Sequence, residues 1–343
     1  MRSVNVGLVG FGFSGATFHA PIVTAVQGLN LRKVVSSNAE KVRSSLSDVS
    51  VVESFDHLIE DDEIELVIIT TPNEHHFPMA KQALESGKHV VIEKPFAVSV
   101  DECERLIDVA QTNGKLLSVY HNRRFDSDFL TIQKLLKEDH LGEVMTFEAH
   151  YDRYRAEVRD RWREQDRKGS GILFDLGSHL IDQALTLFGI PDAITADVMA
   201  QREDGKTDDY FHLILQYGRK RIILHGGSLV MQHGPRYQIH GMKGSFVKWG
   251  IDPQEEALKQ GRSPGDSGWG VESSQYYGVL TQNANESVVQ SVPGSYQTYY
   301  EDMYRAICEN ESLPVMANEA LNVIKVIELA VKSSEEKRMI EWT

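Results

Sequence analysis

The sequence is short of cysteine, of basic charge and of long apolar runs, and each shortage removes a class of protein. Only Cys103 and Cys308 occur in 343 residues, so neither a disulfide framework nor a cysteine metal site is expected. Lys and Arg number 36 against 50 Asp and Glu, a formal net charge of −14. Nucleic acid and anionic membrane both want a basic face, so neither is expected as a partner. No apolar run approaches the roughly 20 residues of a spanning helix. Met1-Arg2-Ser3-Val4 leads into a strand without the apolar core of a signal peptide. A cytoplasmic location is therefore the expectation. Repeats and low-complexity tracts are also missing. What remains, 41% hydrophobic and 25% charged, is the make-up of a globular protein, and its length asks for two domains.

The first stretch with chemical content is Gly10-Phe11-Gly12-Phe13-Ser14-Gly15, directly after the apolar run 4–9. Glycines at this spacing give a tight turn, let backbone approach a pyrophosphate and let a helix pack on its strand. The bare pattern is weak, and its place after the first strand makes it specific. A second strand, 29–35, should end at the residue that reads the adenosine ribose. NAD binding wants a carboxylate there. The chain has Ser36-Ser37-Asn38, followed by Lys41 and Arg43, a set suited to a 2′-phosphate. The expected cofactor is NADP in preference to NAD, although both cations also suit a solvated helix face.

The apolar run 66–70 is a further strand, and Thr71-Pro72-Asn73 turns at its carboxyl end before His75 opens a helix. Pro72 and Asn73, with Thr71 and His75 beside them, would face the nicotinamide half of the dinucleotide. His75 and His76 are adjacent, a spacing that does not set two ligands on one helix face, so no metal is expected. Next, 89–92 is a short β-branched run ending in Glu93-Lys94-Pro95. A lysine there is badly placed for packing and well placed at the crevice outside a sheet's carboxyl edge. Pro95 keeps Lys94 out of helical conformation. Ser99 and Glu102 form a capping box for a helix to about residue 113, and 116–120 is the last strand. This alternation implies a doubly wound parallel sheet, with the domain boundary at 122/123. His121-Asn122-Arg123-Arg124 follows, as ligand contacts or as a hinge.

In the second domain, 171–188 reads as a helix buried nearly all round, interrupted by Asp175, His179, Asp182 and Thr186 on one stripe. Buried polar groups need partners, and Asp175 one turn before His179 makes a base with an orienting carboxylate. Strands at 194–200, 210–217, 221–228 and 237–241 imply a largely antiparallel open sheet in an α+β domain, able to meet a second subunit. Residues 252–295 read as long loops, and 296–308 and 318–333 as helices.

Gly-Leu-Val-Gly-Phe-Gly at 7–12, Phe18-His19-Ala20-Pro21, Pro72-Asn73, the 87–95 segment, Asn122-Arg123-Arg124, Trp162-Arg163 and Asp175-Leu-Gly-Ser-His179 together resemble the glucose–fructose oxidoreductase / inositol dehydrogenase / MocA family. The likeness is strongest over 1–125 and 160–190, and the Phe18-His19-Ala20-Pro21 and Ser36-Ser37-Asn38 segments look like the branch containing its NADP-dependent scyllo-inositol dehydrogenases. The resemblance implies an N-terminal Rossmann domain, 1–122, and a substrate-binding and oligomerisation domain, 123–343. It implies catalytic roles for Lys94 and His179, and substrate orientation by Asp175. The expected cofactor contacts comprise the glycine turn, Ser36, Ser37, Asn38, Lys41, Thr71, Pro72, Asn73, His75, Glu93, Lys94, Asn122, Trp162 and Arg163. Arg123 and Tyr154 join Lys94, Asp175 and His179 as expected substrate contacts. The expected reaction oxidises a secondary hydroxyl of a cyclic polyol or sugar, with hydride passing to nicotinamide C4. His179 takes the hydroxyl proton and Lys94 hydrogen-bonds the same oxygen. A homodimer or homotetramer through the C-terminal sheet is expected. The alternatives are a reductase of another carbonyl (ketosugar, dihydrodiol or diketone) with the same site, and a non-catalytic nucleotide-sensing regulator.

Overall fold

Six short runs of β-branched residues and leucine build the first sheet: β1 (Val4–Val9), β2 (Leu29–Val35), β3 (Ser50–Val52), β4 (Leu66–Ile69), β5 (His89–Glu93) and β6 (Leu117–Tyr120). All four side chains of β4 are fully inaccessible, as are Val90, Val91 and Ile92 of β5, which is why these strands read as continuous apolar runs rather than alternations. Every pairing in this sheet is parallel, in the order β3-β2-β1-β4-β5-β6. The order reverses between β1 and β4, the switch point where such sheets open a crevice at their carboxyl edge. Ser99 Oγ accepts from Glu102 N at 3.3 Å and starts the helix Val100–Thr112, as the capping pattern requires.

A computed structural model describes residues 2–343, and it divides the chain into two units. One comprises the chain to Phe125 with Pro253–Trp269 and Ser295–Leu321; the other holds Asp126–Asp252, Gly270–Gly294 and Asn322–Thr343. The cut at 122/123 thus lies three residues from a unit edge, but two later segments return to the first unit. In that unit Arg123 donates to Glu255 at 2.7 Å, Ser118 Oγ and Tyr299 Oη share a hydrogen bond at 2.7 Å, and Tyr120 sits edge-on to Tyr299. A buried tyrosine cluster on the helix Gln297–Glu309 fixes the returning segment.

The second unit is built on nine strands, β7 (Val144–His150), β8 (Ala193–Met199), β9 (Tyr210–Tyr217), β10 (Lys220–Gly227), β11 (Tyr237–Gly241), β12 (Ser245–Lys248), β13 (Gly278–Gln282), β14 (Asn285–Val289) and β15 (Ile340–Glu341). Their order is β14-β13-β12-β11-β7-β10-β9-β8-β15, and among the described residues only β7 and β10 pair in parallel. Burial alternates along each central strand. Phe147, Ala149, Phe211, Leu213, Leu215, Ile222 and Leu224 face the core, while Glu148, His150, His212, Ile214, Ile223 and His225 lie half-buried on the other face. The reading of 252–295 as loops is corrected: it contains the helix Gln254–Lys259 and the β13–β14 hairpin. The hairpin is hard to see because β14 is almost wholly exposed, so nothing selects alternating hydrophobicity. Its turn puts Asn283 and Ala284 at φ 49° and 61°, where Gly would ordinarily advertise it.

Candidate active site

The glycine turn has the build that a dinucleotide requires. Gly10 lies at φ 95°, a left-handed conformation that favours glycine. A Cβ on Gly15 would stand 2.2 Å from the Gly10 carbonyl oxygen, whereas one on Gly12 would meet nothing within 4 Å. Gly15 therefore serves close packing, and Gly12 leaves backbone open where a phosphate would approach. Beyond it the chain makes a π-turn, Gly15–His19, before the helix Ala20–Ala25. Phe11 is buried and Phe13 exposed.

At the end of β2, Ser36 Oγ accepts from Asn38 N at 3.1 Å, and Asn38 Oδ1 caps the helix Ala39–Ser45 by accepting from Lys41 N at 2.9 Å. Asn38 thus spends its carbonyl oxygen on the cap. Lys41 Nζ donates to the Phe11 carbonyl at 2.9 Å, bringing an ammonium to the rim of the glycine turn. Ser37 and Arg43 are exposed, and the nearest acid in sequence is Glu40 in the helix's first turn.

Glu93, at the end of β5, is the electrostatic centre of this unit. Its Oε1 accepts from Ser14 Oγ at 2.5 Å and from His19 Nε2 at 3.3 Å, and His19 Nδ1 meets Tyr300 Oη at 2.5 Å. Burial raises the Tyr300 pKa well above its usual value, which keeps its hydroxyl protonated beside the ring. Burial alone would raise the Glu93 pKa; the His19 hydrogen bond and charge, with Lys94 and Ser14, hold it down to about 2. Lys94 follows, half-buried, with a cis peptide bond to Pro95.

The adjoining turn contacts a residue that sequence reasoning passed over. His76 is fully buried, its Nδ1 at 2.8 Å from the Pro95 carbonyl and its Nε2 at 3.0 Å from the Thr71 carbonyl. It therefore sits between the Thr71-Pro72-Asn73 turn and the segment after Lys94, donating to one of the two carbonyls. Burial lowers its pKa. Asn73 is buried, while Pro72 and His75 are exposed. Asn122 and Arg123 are buried in the short turn Asn122–Phe125, and the Arg123 guanidinium, expected at substrate, is engaged by Glu255 and Tyr296.

In the second unit the expected helix opens as a π-turn, Leu173–Gly177, and continues as Ser178–Phe188. His179 and Asp182 are buried and Asp175 is partly exposed, while Thr186 emerges into solvent and donates to the Asp182 carbonyl. The stripe is therefore three residues deep. The Asp175 carboxylate has Arg163 at 3.5 Å and Arg153 at 3.8 Å. Burial pulls Arg153 down to about 10 against the attraction of Asp175. Tyr151 stacks near His179, ring centroids 6.5 Å apart, and Trp162 lies against the Arg163 guanidinium at 4.6 Å. Tyr154 is about half exposed and bridges to Leu229. Arg153 and Tyr151 were not foreseen; the run Tyr-Asp-Arg-Tyr-Arg after an unrecognised strand, β7, was the available clue.

A glycine turn of this build on a 3-2-1-4-5-6 parallel sheet defines a dinucleotide-binding protein. Residues 4–121 match the NAD-binding Rossmann-fold model of an oxidoreductase family, and 133–342 match that family's C-terminal alpha/beta domain. The chain belongs to the GFO/IDH/MocA oxidoreductase family. It is 48% identical over 342 residues to scyllo-inositol 2-dehydrogenase (NADP(+)) IolW of Bacillus subtilis, covering 98% of this chain and 96% of that one. It is 46% identical to the oxidoreductase YdgJ of Escherichia coli, covering 98% and 97%. The solved structure of the oxidoreductase yvaA from Bacillus subtilis superposes with a TM-score of 0.97 at 47% identity, covering 100% and 99%. The protein is thus an oxidoreductase with an NAD(P)-binding domain. Among the described residues no helix is long and apolar enough to cross a membrane.

Proposed function

We propose that the protein is an NADP-dependent dehydrogenase that interconverts a secondary hydroxyl and a ketone on a cyclic polyol, with scyllo-inositol the first candidate. The observation that carries the reaction class is Lys94 at the carboxyl end of β5, beside a carboxylate that Ser14 and His19 hold in place. The likeness to the Bacillus subtilis enzyme supports the polyol. Ser36-Ser37 with Lys41 beside Phe11, where NAD sites carry an acid, supports NADP.

The residues divide the work. Gly10, Gly12 and Gly15, with Phe11, Phe13 and Ser14, would cradle the pyrophosphate; Ser36, Ser37, Asn38 and Lys41 the adenosine end; and Thr71, Pro72, Asn73, His75, Glu93, Asn122, Trp162 and Arg163 the nicotinamide half. When bound, the cofactor supplies the hydride acceptor. His179 removes the hydroxyl proton as general base. Lys94 donates a hydrogen bond to that oxygen and stabilises its developing negative charge. Asp175, flanked by Arg153 and Arg163, accepts from a neighbouring substrate hydroxyl, and Tyr154 adds a contact. The half-buried outer face of the second sheet, with Ile214 and Ile223 among polar residues, supports association of copies as a homodimer or homotetramer.

The test is a panel of inositols and aldoses run with NADP+ and NAD+, repeated on Lys94→Ala. Wild type should turn over an inositol with NADP+ in preference to NAD+. The variant should bind NADPH within about threefold of wild type and lose at least ~100-fold in kcat. Turnover near wild type in the variant would sink the mechanism, and activity confined to non-cyclic carbonyls would sink the substrate assignment.

A further inference from the structure

Sequence spacing marks no metal site, yet the outer face of the second sheet gathers one. His150 ends β7, Asp152 follows two residues later, and His225 lies opposite His150 in the parallel β7–β10 register. The His150 Nδ1–Asp152 Oδ2 distance is 3.2 Å and the His225 Nε2–Asp152 Oδ1 distance is 3.4 Å. One ligand atom from each of the three lies within 4.8 Å of the others. Metal–ligand bonds of 2.0–2.2 Å at tetrahedral angles place neighbouring ligand atoms about 3.3 Å apart. The two short separations fit that value.

The tautomer of His150 strengthens the case. Its Nε2 lies 2.8 Å from Glu148 Oε1, so Nε2–H donates to that carboxylate. Nδ1 then turns a lone pair toward Asp152 Oδ2, an arrangement that needs a cation between the two atoms. Either a proton fills the gap and makes an imidazolium, or a metal does. A histidine bound to metal through one nitrogen while the other donates to a carboxylate is the arrangement that metal sites use to fix ring orientation. Asp152 is also held, since Gly227 N donates to its Oδ1 at 3.2 Å. In the single chain the side chains are 24%, 8% and 16% exposed for His150, Asp152 and His225, on the face also proposed to associate copies. A cavity of about 50 Å³, lined by His150, Asp152, His233 and Arg236 among others, adjoins the cluster, room for a water as fourth ligand.

The geometry points to a divalent transition-metal site formed by His150 Nδ1, the Asp152 carboxylate and His225 Nε2, taking an ion of the Zn²⁺ class. Glu148 orients His150. Binding displaces the proton from Nδ1 to solvent.

The test uses untagged full-length protein, stripped with chelator and titrated with Zn²⁺ against a chromophoric competitor, and with Co²⁺ followed by its visible ligand-field spectrum. One ion per chain is expected. His225→Ala and Asp152→Asn should each weaken binding at least tenfold, and Glu148→Gln by about 10–100-fold. His240→Ala, on the exposed part of β11, should leave it unchanged. The folded state of each variant is checked by its thermal transition, and NADPH binding serves as the control for the first unit. Zn²⁺ affinity equal in wild type and His225→Ala, or a wild type that takes up no ion, would overturn the site and leave an imidazolium between two carboxylates.

Discussion

Glu93→Gln tests the electrostatic centre of the first unit. The carboxyl is held at about 2 in the folded chain against an ordinary 4.5, a difference of about 2.5 units. At 1.36 kcal/mol per unit, the ionised group contributes roughly 3 kcal/mol at neutral pH. The sign follows from a depressed pKa: the contribution is fully present above 4.5 and disappears as pH falls through 4.5 towards 2. By pH 3.5 roughly 1 kcal/mol of it should be gone. Its causes are local, since Ser14 and His19 both donate to Oε1 and the side chain is only 13% exposed. The amide keeps the shape and an acceptor oxygen but loses the charge. Thermal unfolding of Glu93→Gln should therefore show a Tm roughly 5–10 °C lower at pH 7, and the gap to wild type should narrow on acidification. A gap below 1 °C at pH 7, or one that stays constant down to pH 3.5, would refute the reasoning.

Two further perturbations probe the ribose end and the second unit. Ser37→Asp puts a carboxylate where a 2′-phosphate would sit; at a few ångströms and high dielectric this costs about 1–3 kcal/mol, so KM for NADP+ should rise about 10–100-fold while that for NAD+ holds or falls, and an equal rise for both would remove the NADP argument. Lys248 and Glu272 form a fully buried pair at 2.7 Å, with Ser291 donating to the other carboxylate oxygen. Burial raises the Glu272 pKa. Lys248→Met should cost about 3–5 kcal/mol by stranding the carboxylate, and Lys248→Met with Glu272→Leu should recover most of it; urea unfolding checks both, and a single variant as stable as wild type would show the pair idle.

The first sheet was legible because its strands are buried on both faces, so each is an apolar run closed by turn residues. Lys94 stands out for the same reason, as a charge directly after a fully inaccessible run. Nothing in sequence spacing shows that Glu93 answers to Ser14, 79 residues away, or His19 to Tyr300, 281 residues away; such partners are chosen by the fold. His76 was hidden by its neighbour, because two adjacent histidines were weighed as metal ligands and neither as a residue set between two carbonyls. β7 went unseen although it lies at the centre of its sheet, because Met145, Thr146, Glu148 and His150 interrupt its apolar positions. Of these, His150 belongs to the histidine cluster and Glu148 contacts it.

Both segments with candidate chemistry open with a π-turn, Gly15–His19 and Leu173–Gly177. Such turns are rare and concentrate at functional sites. One extra residue per turn rotates the chain beyond it by about 100° relative to an α-helix, so the faces before and after the turn no longer match the 3.6-residue period. Apolar periodicity alone cannot reveal this, because both segments are buried on most sides and any period satisfies them. The glycines give the physical account. A Cβ at Gly15 would strike the Gly10 carbonyl oxygen, and one at Gly177 would stand 2.9 Å from Leu173 Cδ1 and 3.5 Å from the Phe211 ring. At Gly15 the widened turn is pressed against backbone where only a hydrogen fits, whereas at Gly177 the near atom is the end of a leucine side chain that can shift. In the first unit His19, at the end of the widened turn, reaches Glu93; in the second, Asp175 lies within the turn with Arg153 and Arg163 beside its carboxylate, and the buried His179 follows it. The polar groups of both elements thus sit at a local departure from helical geometry, which in the first unit Gly15 makes sterically possible.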